Sequence, residues 1–141
     1  MIRALRRIRH GTLVATSLLA LAITPSVMAQ DAKPQRTKGV SVGSESALLL
    51  EAQIPALKGY ALRIRTIVLK PGAVVGYHSH AKRPVVAYLL NGEYTEHRDG
   101  LGEIVHKPGE QWVEGADVAH WSENRGAEPA VLINVDVLPA K

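Results

Sequence analysis

His78 and His80 stand two residues apart, just ahead of the apolar run Val85 to Leu90. In an extended chain residues i and i+2 project to one face, so both imidazoles would aim at one point while Ser79 points away. Two neutral imidazole nitrogens on a rigid strand can ligate one transition-metal ion, although such a pair can also be polar decoration on a turn. His10 lies in the N-terminal segment. His97 and His106 sit beside charged residues near turns and read as solvated. His120 differs, because it lies in DVAHWS between Val118, Ala119 and Trp121, and a buried imidazole needs a partner. The chain has no cysteine. Any metal must therefore be held by His, Asp, Glu or Gln, and neither disulfides nor thiolate chemistry is available.

The elements that would position these histidines form one domain, the size that 141 residues suits. Residues 1–29 combine Arg3, Arg6, Arg7 and Arg9 with an apolar run from Thr12 to Ile23, then Pro25 and the small-residue site Val27-Met28-Ala29. This is the layout of an export signal cleaved after Ala29, with the general route favoured over twin-arginine export, and it predicts a periplasmic or secreted protein. The run is too short for a permanent span, so no membrane association is expected once the signal is removed. Four of the 17 Lys and Arg lie in that segment and none of the 13 Asp and Glu, leaving 13 of each sign in the remainder. A neutral chain of this kind gives no support to nucleic acid as a partner.

Residues 30–54 read as a flexible leader with an N-terminal strand at Ser46 to Gln53, and residues 55–141 as the folded barrel. Tyr60 to Leu69 alternates Leu62, Ile64, Thr66 and Val68 against Arg63 and Arg65, which reads as a strand with its arginines facing solvent and a turn at Lys70-Pro71-Gly72. Pro84 to Leu90 is apolar on both faces and is expected to be covered on both sides, its outer face by a second copy in a homodimer. Asn91-Gly92 predicts a type I′ hairpin, and Asp99-Gly100 and Lys107-Pro108-Gly109 further turns. Short strands continue to Ala130–Val137. About eight strands with no helical period indicate an all-β sandwich or barrel.

The spacing of Gly72, His78-Ser79-His80 and Gly92 resembles the first motif of the cupin superfamily, G(X)5HXH(X)3-4E(X)6G. Gly109, His120 and Asn124 are similar to the second, G(X)5PXG(X)2H(X)3N. The resemblance implies a double-stranded β-helix, or jelly roll, holding a metal inside the barrel on His78, His80 and His120. It also implies turn roles for Gly72, Gly92, Gly109 and Asn124. The sequence departs from the pattern where Val85, or Pro84 at the shorter spacing, stands in place of the acidic ligand and where Gly115 and Asp117 replace the proline and second glycine. A neutral three-histidine site is therefore expected.

Such a site suits Fe best, with Zn, Mn, Ni or Cu as alternatives, and leaves positions open for a small-molecule substrate. Gln111 is a candidate fourth or outer-shell ligand. Tyr77, Tyr88, Trp112 and Trp121 are candidate pocket walls or, in a chain with no Phe, simply core fillers. Lys82 and Arg83 read as solvated loop charge. Glu93, Glu96 and Asp117 are general acid–base candidates by position only. The expected function is a metal-dependent, dioxygenase-like enzyme on a small organic molecule, with isomerase or lyase chemistry less favoured. The alternative is a non-catalytic cupin that binds or senses a metal or small ligand.

Overall fold

The structure is a computed structural model and describes residues 32–140. The expected export signal lies outside the described residues. Eight strands, all paired antiparallel, run β1 (Lys38–Leu49), β2 (Tyr60–Ser79), β3 (Val85–Asn91), β4 (Tyr94–Arg98), β5 (Gly102–His106), β6 (Gln111–Glu114), β7 (Ala119–Glu123) and β8 (Ala130–Pro139). A three-residue 3₁₀ turn, Pro55–Leu57, is the only helical element among the described residues. The sheet order is β5-β4-β7-β2-β8-β3-β6, with β1 on the edge of β2. This is the expected jelly roll.

The long β2 joins the two walls of the barrel. Its first half, Tyr60–Leu69, pairs with β1 and β8, and its second half, Val74–Ser79, pairs with β7. Lys70-Pro71-Gly72 was expected to end the strand. It is instead a bend within it, with Gly72 at φ +73° donating its N–H to the carbonyl of Asn124 at 2.9 Å. Positive φ at the bend is a conformation glycine reaches without steric cost. The N-terminal strand likewise begins at Lys38 and not at Ser46.

Asn91-Gly92 does not close a two-residue hairpin, because β3 pairs with β6 and β8 and not with β4. Gly92 is required for another reason: a Cβ there would lie 2.5 Å from the Pro129 carbonyl oxygen. The chain crosses from one wall to the other at this close approach.

The faces of β2 are also the reverse of expectation. Arg63 and Arg65 point into the barrel, their side chains 16% and 18% exposed, while Leu62 and Ile64 lie 38% and 48% exposed outside. Asp136, opposite Arg63 on β8, supplies the buried counter-charge that makes this possible.

Inward residues along β8 form a gradient: Ala130 and Leu132, then Asn134, then Asp136. The apolar end packs with Leu69, Ala73, Leu89 and Tyr94 as the core. The polar end faces the site. Burying these apolar side chains at about 25 cal/mol per Å² drives closure of the walls, and the polar layers above it are free to serve chemistry.

Candidate metal centre

The second half of β2 carries His78 one residue before its end, with His80 directly after the strand, and β7 places His120 opposite His78 in the antiparallel ladder. The His80 N–H donates to the Val118 carbonyl at 2.9 Å, which holds this residue against β7 although it lies outside β2. The three Nε2 atoms form a triangle with edges of 3.1 Å (His78–His80), 3.0 Å (His80–His120) and 3.2 Å (His78–His120). His80 and His120 are buried and His78 half-buried.

Hydrogen bonds on the far side of each ring fix the tautomers. His78 Nδ1 lies 2.9 Å from the Gly76 carbonyl and His80 Nδ1 3.0 Å from the Arg83 carbonyl. A carbonyl only accepts, so both Nδ1 atoms carry the proton and donate. His120 Nδ1 likewise donates to Glu96 Oε1 at 2.6 Å. All three Nε2 atoms therefore present lone pairs to one another. Neutral rings are also what burial favours: it depresses the pKa of His78, and that of His80 to about 4.

A buried carboxylate lies beside His80. Glu114 Oε2 on β6 lies 3.1 Å from His80 Nε2, while Trp112 Nε1–H donates to Glu114 Oε1 at 2.9 Å and orients the carboxylate. Glu114 is buried. It faces Val85 directly across the β3–β6 ladder. The three histidines expected from the sequence lie together, and Glu114, which the sequence reading did not name, sets a buried carboxylate beside His80. The carboxylate missing from β3 is present on the neighbouring strand, at a position that the spacing of the first motif does not register.

The donor set fits a metal. Metal–imidazole bonds are about 2.0–2.1 Å, so two bonds at a right angle set their nitrogens about 3.0 Å apart and at the tetrahedral angle about 3.4 Å apart. The observed edges lie between these two values, so the three nitrogens would hold one transition-metal ion. Without a cation the three converging Nε2 lone pairs repel one another.

Behind the ligands, the fully buried Glu96 links His120, His106 (Nε2 at 3.2 Å) and Arg98 (2.8 and 3.0 Å). Burial pushes its carboxyl pKa up. The bonds from His106, His120 and Arg98 outweigh this and hold it well below the usual range. His106, read from sequence as solvated, is buried because it reaches Glu96 and stacks on Trp112 at 3.8 Å. His97 is half-buried, stacked on Trp121 at 3.7 Å.

The remaining candidates divide. Tyr77 lines the cavity over the ligands, with its hydroxyl donating to Asp99 at 2.6 Å, and Trp112 buttresses Glu114. Gln111 and Tyr88 sit opposite one another with exposed side chains on the outer face, away from the ligands, because the alternation of β6 turns Trp112 and Glu114 inward. Trp121 belongs to a separate surface groove with His97. Asn124 is buried and ties the Leu69 and Glu128 carbonyls together (3.0 and 2.8 Å), and Gly109, at φ +92°, donates to the Leu89 carbonyl. Lys82 is exposed, whereas Arg83 turns inward to Asp136 at 3.0 Å. Glu93 and Asp117 do not line the cavity.

The cavity measures about 360 Å³. Beside the histidines and Glu114 it is walled by Ile67, Leu69, Val75 and Leu132, with Arg65 and Asn134 among its polar residues.

Residues 65–136 match the family profile described as Cupin domain. None of the curated proteins matches the chain. Among solved structures, a predicted oxalate decarboxylase from Thermotoga maritima is 24% identical, with a TM-score of 0.51 over 76% of this chain and 90% of that one. A recombinant oxalate oxidase in complex with glycolate is 20% identical, with a TM-score of 0.51 over 70% of this chain and 50% of that one. A DMSP lyase structure is 16% identical, with a TM-score of 0.48 over 57% of this chain and 44% of that one. The chain thus spans half or less of the length of the last two, and at these identities the likeness is one of fold.

Proposed function

Because this chain belongs to the cupin family, we propose that it is a metal-dependent enzyme of the cell envelope, acting on a small organic molecule by oxidative, dioxygenase-like chemistry. The observation that carries the reading is the convergence of three Nε2 lone pairs at 3.0–3.2 Å, with every Nδ1 already committed elsewhere and the Glu114 carboxylate 3.1 Å from His80 Nε2. Iron is the metal we favour. When bound, it would supply a redox-active Lewis acid.

The chain's own residues do the rest. His78, His80, His120 and Glu114 would hold the ion, and Glu96 keeps His120 in the ligating tautomer. Ile67, Leu69, Val75 and Leu132 exclude water from one side of the cavity. Apart from the proposed ligands, no carboxylate or imidazole among the described residues lines that cavity. Burial and then the nearby Glu114 push the Tyr94 phenol far up, so it remains protonated and is no base.

Elemental analysis beside oxygen-electrode assays with thiols, catechols and diketones tests this. Near one equivalent of iron with substrate-dependent oxygen uptake is expected. Less than about a tenth of an equivalent of any transition metal after reconstitution ends the metal reading. Full metal without turnover assigns the chain to the non-catalytic binders. Export is tested by cell fractionation, with a mature N-terminus expected near Gln30.

We also propose a homodimer through the outer face of the β2-β8-β3-β6 wall. Val113, Val86, Val135 and Ile64 form one uncharged row across four strands there, with Val86 53% and Val113 66% exposed. Two copies of such a face would shield it from water.

A further inference from the structure

The β2–β8 wall of the cavity, which carries apolar Ile67 and Leu132, also carries a charge that the metal ligands do not use. Arg63 takes Asp136 in a bidentate pair (Nε 3.0 Å, NH2 2.7 Å), and Arg83 adds a third bond at 3.0 Å. Arg65, one step deeper on β2, is left with an NH2–Asp136 separation of 3.9 Å, too long for a hydrogen bond. Its Nε is buried with no partner among the described residues. Asn134 stands directly opposite Arg65 on β8, and its Oδ1 is also buried without a partner. Both residues line the same cavity as His78, His80, His120 and Glu114.

One orphaned donor on a cation beside one orphaned acceptor is a costly arrangement for a protein interior. Each buried unpaired polar group costs about 1–3 kcal/mol, and more when it is charged. Burial, and after it the neighbouring Arg63 charge, lowers the pKa of Arg65, the sign of a cation short of counter-charge. Asp136 supplies part of it across 3.9 Å and Glu45 a smaller part, but the Asp136 oxygens already accept three hydrogen bonds from Arg63 and Arg83, and Arg65 Nε stays unpaired. The groups are complementary to a ligand that brings an anion and a hydrogen-bond donor together.

We propose that Arg65 and Asn134 form the substrate-recognition subsite, which selects a small organic acid: its carboxylate pairs with Arg65, and a hydroxyl or amino group beside the carboxylate donates to Asn134 Oδ1. This names the substrate class for the metal-dependent reading above and rests on it for its catalytic meaning, but the anion subsite itself is made by the protein alone. An arginine fork suits a planar carboxylate because two N–H groups meet two oxygens in one plane. The 360 Å³ cavity accommodates a molecule of a few to about ten heavy atoms beside the metal site.

The test is calorimetric titration of lactate and mandelate, each against its neutral amide, into metal-loaded and metal-free protein. Metal equivalents are counted on the same samples. At least one acid is expected to bind about tenfold or more tightly than its amide, because the amide cannot answer the guanidinium charge. Arg65→Gln removes that preference while leaving the metal equivalents unchanged, and Arg65→Lys restores part of it. Equal affinity of acid and amide, or no binding of either acid, overturns the subsite, and this comparison needs only the unmutated protein. Arg65→Gln retaining the full preference overturns it as well. Acid preference in a protein that takes up no metal keeps the subsite and removes the metal reading, whereas full metal without preference does the reverse.

Discussion

Glu114 stands directly across the β3–β6 ladder from Val85, so the site has a buried carboxylate one strand away from the position where a glutamate on β3 would bring one. Asp136 flanks Val85 on its other side. Introducing Val85→Glu into the unmodified protein therefore crowds three carboxylates. It is expected to destabilise the metal-free protein and to raise metal affinity little. Glu114→Val alone should weaken metal binding by one to two orders of magnitude or more, and Val85→Glu combined with Glu114→Val should recover much of it. Competition titrations with a chromophoric chelator measure all three; no recovery in the double variant would remove the equivalence of the two positions.

Glu96 touches no cavity, yet its 2.6 Å bond to His120 Nδ1 sets which nitrogen of that ring faces the ligand cluster. Glu96→Gln is expected to cost about 10–100-fold in metal affinity, the usual scale for a group that orients a ligand. An accompanying loss of stability follows from Arg98, which forfeits both of its charged contacts. Affinity at a temperature where the variant remains fully folded separates the two effects. An unchanged dissociation constant there would leave Glu96 a purely structural anchor.

The parts of the site legible in the sequence are those set by local spacing. His78-Ser79-His80 follows from strand alternation, and the turn glycines and His120 from motif distances. Glu114 was not legible, because its role depends on the register of β6 against β3, a pairing between segments that no local pattern specifies. Arg63 and Arg65 were read outward because charged residues usually are; only Asp136, distant in sequence and opposite in the ladder, reverses that preference. Val86 and Tyr88 were read as covered, and in the single chain they are exposed. The Asn91-Gly92 signal was real as a need for glycine, but the need arises from the Pro129 carbonyl and not from a hairpin.

Burial lowers the pKa of His80 from 6.5 to about 4, and so the unfolded chain takes up a proton on this residue in the window where the folded metal-free protein does not. Stability must then fall as pH drops below about 6.5, and this contribution levels off near pH 4. Between pH 7 and 5 His80 alone removes about 2 kcal/mol. Asp136 adds its own loss further down. Burial raises its pKa, but the bonds from Arg63 and Arg83 prevail and hold it below 3.8, so its contribution is present above the ordinary carboxylate range and disappears as pH falls through the lowered value. Urea midpoints of metal-free protein from pH 7 to 4.5 check the first part. A flat profile would mean that His80 titrates alike in both states.

The outer row Val113, Val86, Val135 and Ile64 contains no charge across four strands, and an uncovered sheet face of this kind is either an interface or a hazard. Val86→Lys with Val113→Lys places two ammonium groups opposite one another in the β3–β6 ladder, on side chains that point away from the metal ligands. The barrel should remain folded, since both positions are already largely exposed. Light scattering coupled to size exclusion is expected to report a dimer for the unmutated protein and a monomer for the double variant, with equal metal content in both. A monomer in the unmutated protein up to about 100 μM would exclude the self-association, since an interface of standard size holds well below that concentration.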